Sequence, residues 1–83
     1  MLYRFVSEEQ FNAWSSQNYA KEFAKHFKKW DDVFATEDLS CEGMTDWAEI
    51  NGQYIRSSYW YPFVSDDLGS RLVEVEEVVK EIE

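Results

Sequence analysis

The sequence predicts an α+β fold: a single compact acidic domain over residues 1–83, with elements in the order β-α-α-β-β-α and a short antiparallel sheet packed against helices. Three observations lead there. Aromatic residues recur at helical spacing from Tyr19 to Phe34, an Asn51-Gly52 pair separates two strand-like segments, and a last apolar series from Leu68 to Ile82 again follows helical spacing.

Leu2-Tyr3-Arg4-Phe5-Val6 reads as a strand because aromatic and branched side chains suit a pleated surface. Ser7 stands three positions before Gln10, the spacing at which a hydroxyl and an amide satisfy orphan helix-start donors, so a helix should open at Glu8. Glu8 and Glu9 then lie where the helix dipole favours negative charge. Ser15-Ser16-Gln17-Asn18 competes for backbone hydrogen bonds and should weaken that helix, with Asn18 capping a second. The second helix is expected to carry Tyr19, Phe23, Phe27, Trp30 and Phe34 on one face, Lys21, Lys25, Lys28 and Lys29 on the other, and to end near Phe34 or Ala35.

Residues 36–45 read as a loop holding Cys41 and Gly43. Asn51-Gly52 tolerates the positive φ of a tight turn, so Trp47–Ile50 and Gln53–Arg56 should form a hairpin. Its register pairs Ile50 with Gln53, Glu49 with Tyr54, Ala48 with Ile55 and Trp47 with Arg56. Ala48, Ile50 and Ile55 then share one face; Trp47, Glu49, Tyr54 and Arg56 share the other. The second strand is expected to run on through Tyr61 and stop before Pro62. Ser65 or Asp66 can cap a final helix, whose seam would be Leu68, Leu72, Val75, Val79 and Ile82; the Glu76-Glu77 pair interrupts the alternation a strand needs.

Eighty-three residues suffice for one core, burying only about 60–65% of the unfolded surface. Four tryptophans, five tyrosines and six phenylalanines supply that core. Cys41 is the single cysteine, which excludes an intrachain disulfide and points to the cytoplasm. The opening residues lack the apolar run of a signal peptide, and no stretch matches a membrane-spanning helix.

Seventeen acidic residues against eight basic ones give a net charge of −9. The imbalance is concentrated: residues 1–30 carry five basic and three acidic side chains, residues 31–83 three basic and fourteen acidic. Such a chain attracts cationic partners and disfavours direct contact with DNA or RNA, whose affinity comes from cations on phosphates. The lysine stripe interleaved with aromatics is better explained as the polar side of an amphipathic helix.

Catalytic chemistry finds little footing. His26 and Cys41 would need to adjoin with a third group orienting the base, and nothing in their spacing places them together. One Cys and one His leave a zinc ion short of ligands, the acidic calcium-loop pattern is absent, and no cofactor is implied. Asp31-Asp32, Glu37-Asp38, Asp66-Asp67 and Glu76-Glu77 read as solvated acidic surface rather than paired catalytic carboxylates.

The expectation is therefore a non-enzymatic protein-protein interaction module, with Asp66, Asp67, Glu74, Glu76, Glu77 and Glu81 as the negative contact surface and Tyr59, Trp60 and Tyr61 as aromatic anchors. Its expected partner is a basic protein that handles nucleic acid, which the carboxylates would block by standing where phosphates sit. In bulk composition, though in no motif, the chain is similar to nuclease inhibitors, immunity proteins and phage-encoded inhibitors of host defence. The alternative is a structural or oligomerisation module that forms a homodimer through the Leu68–Ile82 seam.

Overall fold

The computed structural model describes residues 1–57 and 60–76. Its centre is a five-stranded antiparallel sheet in the spatial order β5-β4-β2-β1-β7, built from β1 (Leu2–Phe5), β2 (Phe34–Ala35), β4 (Trp47–Ile50), β5 (Gln53–Arg56) and β7 (Leu72–Val75). A two-stranded sheet pairs β3 (Met44–Thr45) with β6 (Phe63–Val64). Helices α1 (Glu8–Ser15), α2 (Lys21–Ala24) and α3 (Leu39–Glu42) complete the α+β fold, with single 3-10 turns at Asn18–Ala20 and Ser65–Asp67.

The start of α1 follows the sequence: Ser7 Oγ accepts the Gln10 N–H at 3.2 Å, satisfying one orphan donor. Its end does too. Ser15 and Ser16 hydroxyls donate to the carbonyls of Asn12 and Ala13, and the helix stops there. The Asn51-Gly52 hairpin has the expected register at all four pairs. Asn51 takes φ 49° and Gly52 φ 83°, the left-handed conformations this turn demands.

The long second helix does not form. Helical geometry is confined to the turn at Asn18–Ala20 and to α2, which ends at Ala24. Beyond it, His26 N–H and Phe27 N–H bond only three residues back, and the Asp32 carboxylate takes the N–H groups of Lys28 and Lys29 at 2.7 and 3.2 Å. Phe34 and Ala35 instead enter the middle of the sheet, bonded between β1 and β4. Strand pairing on both sides offers these residues a ladder that outweighs a helix, yet burial survives the change. Phe23 and Phe34 are sealed in the core, with Tyr19, Phe27 and Trp30 packed against it.

The final helix is likewise replaced over its described part. Gly69, at φ 85°, turns the chain, and Leu72–Val75 then pairs with all four residues of β1. Val73 and Val75 are branched residues suited to that ladder, and the strand ends before the Glu76-Glu77 pair breaks the alternation. Leu72 is buried, so no Leu68–Leu72–Val75 helical seam faces outward; Val79 and Ile82 lie outside the described residues. The 36–45 loop condenses into α3 and β3, and the strand expected to continue to Tyr61 ends at Arg56.

One face of the sheet presents Tyr3, Phe5, Phe34, Ala48, Ile50 and Leu72 to the core. Trp14 from α1 stacks on Phe63 at 5.1 Å, and Phe63 stacks on Phe34 at 4.7 Å, so β6 inserts one ring between helix and sheet. Trp14 Nε1–H donates to the Pro62 carbonyl at 2.9 Å, pairing the buried polar atom of its indole. Each fully buried phenylalanine contributes about 1.5–3 kcal/mol of transfer free energy, which explains how so small a chain closes its core.

Candidate functional site

Pleat alternation sends every second side chain to the outer face of the sheet. Across the five strands, Tyr54, Glu49, Ala35, Leu2 and Val75 stand in one cross-strand row on that face. Diagonally from Tyr54, Trp47 stacks against its ring at 5.4 Å with 18° between planes. Trp47 Nε1–H donates to Glu37 Oε1 at 3.1 Å, which fixes the indole's orientation. Beside it, Asp46 Oδ2 holds Arg56 Nε at 3.3 Å.

Glu37, Asp46, Trp47, Tyr54 and Arg56 border a groove of about 420 Å³ whose walls also include Met44 and Tyr61. Tyr54 is 59% exposed, Met44 48% and Tyr61 41%. Trp60, 61% exposed, touches Tyr61 edge-on at 6.1 Å. Large apolar side chains this accessible and this close together form an exposed apolar patch.

The acidic residues singled out from the sequence fall into two places. Glu74 and Glu76 are exposed at the β7 edge and, with Met1, Leu2 and Val75, line a second hollow of about 390 Å³. Glu74 faces Tyr3 across the ladder. Burial raises the Tyr3 hydroxyl above its ordinary pKa, the Leu39 N–H it accepts at 3.0 Å opposes that rise, and the charges of Asp38 and Glu74 add to it. Asp66 is exposed on the Ser65–Asp67 turn. Asp67 serves the turn itself, its Oδ2 accepting the Val64 N–H at 3.0 Å. Burial pushes the Asp67 carboxyl above the usual range and Asp66 adds to the rise, against the pull of Val64 N–H and Arg71. Glu77, Glu81 and Tyr59 lie outside the described residues.

Among the described residues, no carboxylate forms an ion pair with the lysine segment. Among the described residues, Asp46–Arg56 is the only ion pair within 4.0 Å. The acid contact of the lysine segment is Asp32, which takes backbone N–H groups of Lys28 and Lys29 and a 3.0 Å bond from Asn51 Nδ2. Burial opposes ionisation of Asp32, but those three donors outweigh it and hold its pKa below the ordinary carboxylate value. Asp38 is held low as well, first by the Ser40 hydroxyl at 2.6 Å.

The His26 backbone carbonyl accepts from Asn51 Nδ2, and Cys41 Sγ meets Asp38 Oδ2 at 3.6 Å; no contact joins the His26 and Cys41 side chains among the described residues. No group of three His, Cys, Asp or Glu side chains among the described residues is placed to hold a metal ion. No helix among them is long and apolar enough to cross a membrane.

The groove was legible only in part. The hairpin register alone places Trp47 and Tyr54 on one face, and that was the available signal. Glu37 comes from the connection between β2 and α3 and Met44 from the two-residue β3, neither with a pattern of its own, and Tyr61 arrives through a segment read as strand. No protein-family model, curated protein or solved structure significantly matches the chain.

Proposed function

We propose that this chain is a non-enzymatic interaction protein that binds a basic, nucleic-acid-handling protein and inhibits it by presenting carboxylates in place of phosphates. The observation that supports this reading is the exposure of Glu37, Glu49, Asp66, Glu74 and Glu76 with no cation paired to any of them among the described residues. Fields from unpaired surface acids add, steering a cationic partner and repelling nucleic acid. Exposed Trp60 and Tyr61 supply the desolvated contact that charge alone does not give.

The test is capture from lysate of the native host at low salt, followed by a competition assay. The captured protein should be released as salt screens the charges, should be displaced by duplex DNA, and should bind the Glu74→Lys/Glu76→Lys variant much more weakly. Capture indifferent to salt, to DNA and to charge reversal would overturn the proposal.

A further inference from the structure

We propose that the groove between the outer face of the hairpin and Tyr61 is a receptor for one arginine side chain of the basic partner. The inference deepens the proposed function and rests on its basic partner.

A guanidinium is recognised by a flat π surface under its plane and a carboxylate at its edge. The groove offers both. The Trp47–Tyr54 pair is nearly coplanar in orientation, with 18° between rings, and its exposed side opens to solvent at Tyr54. Glu37 is anchored through Oε1 to the Trp47 indole, and its Oε2 has no bonded partner among the described residues. A carboxylate is thus held beside the rings before any ligand arrives, which lowers the ordering cost of binding.

Arg56 shows that this rim takes a guanidinium. Its side chain is 66% exposed and reaches Asp46 through Nε alone, without the two-pronged contact that makes an arginine–carboxylate pair strong. An incoming arginine therefore has Glu37 and the ring faces to itself, while Arg56 repels it across the rim. Two carboxylates against one guanidinium leave the groove net negative and exclude a phosphate. Lysine fits less well, because its strongly hydrated ammonium does not stack.

The experiment is NMR titration of the ¹⁵N-labelled full chain with acetyl-Arg-Arg-Arg-amide, following the Trp47 indole N–H. A saturable shift is expected, weakened about fivefold by Tyr54→Ala and by Glu37→Gln and tightened by Arg56→Gln. Tyr54 is exposed and Glu37→Gln keeps the shape of the side chain, so both variants should retain the fold. The tri-lysine peptide should bind more weakly than tri-arginine. Equal or tighter lysine binding, or a proline-rich peptide that occupies the groove where tri-arginine does not, would overturn the assignment. Arginine peptide that moves the Glu74 and Glu76 amides but leaves Trp47 still would overturn the groove alone. Failure of both cationic peptides to bind anywhere would remove the basic-partner reading with it.

Discussion

Phe63 and Trp60 stand three residues apart, yet Phe63 is 1% exposed and Trp60 61%. Phe63 is held between Trp14 and Phe34 in ring stacking, whereas Trp60 meets one ring among the described residues, Tyr61, at its edge. The same contrast divides the sheet into two faces. Tyr3, Phe5 and Phe34 are sealed on the inner face, while Tyr54 on the outer face stacks with Trp47 and remains open to water. Hydrophobicity is alike in the two regions; what differs is which side of a pleated strand or turn each ring occupies. The inner rings supply stability, and the outer ones supply a surface whose apolar area is still available to a partner.

Removing an inner ring should give the largest effect. Trp14→Ala deletes the stack on Phe63 and the bond to Pro62, and should cost about 3–5 kcal/mol in urea unfolding, enough to unfold much of so small a domain. A loss below about 1 kcal/mol would erase the distinction between the two faces.

The hairpin that carries the outer rings is tied down at its tip, where Asn51 Nδ2 donates to the His26 carbonyl at 2.8 Å and to Asp32 at 3.0 Å. Asn51→Ala should cost about 1–2 kcal/mol, from those bonds and the left-handed φ, with the core rings unchanged by near-ultraviolet circular dichroism. The pH dependence has a defined sign. Because the folded-state pKa of Asp32 is lowered, its contribution is present above the unfolded value and lost as pH falls through the folded one. The acid limb of the stability profile should therefore flatten in the Asn51→Ala variant.

Asp67 has the opposite sign. Its raised pKa means the ionised form is disfavoured in the fold: its contribution is favourable below the ordinary carboxylate value and lost as pH rises through the folded one. Asp67→Asn keeps an acceptor for the Val64 N–H without the charge, and should raise the neutral-pH urea midpoint by under about 1 kcal/mol equivalent. The gain should vanish in acid.

Smallest of all, Trp60→Ser should change stability by no more than about 0.5 kcal/mol in the same urea assay. A larger loss would move Trp60 from the exposed surface to the core.

Local physics explains which parts of this architecture the sequence alone determined. The Ser7 hydroxyl sets the start of α1, and Asn51-Gly52 set a register that the structure keeps pair for pair, because each depends on atoms within a few residues of one another. Periodicity also marked the right side chains for burial in the Tyr19–Phe34 stripe. It did not determine their backbone, since the ladder that captures Phe34 and Ala35 comes from β1 and β4, distant in sequence. Leu72–Val75 became a strand for the same reason: β1 had a free edge, and Gly69 let the chain turn back to fill it. The groove is of both kinds: the hairpin register places Trp47 and Tyr54 on one face, but Glu37 and Tyr61 join them only when three separate segments close around that face. Side-chain character and short turns are written locally, whereas partner choice in a sheet and the walls of a groove depend on long-range closure, which no window of sequence contains.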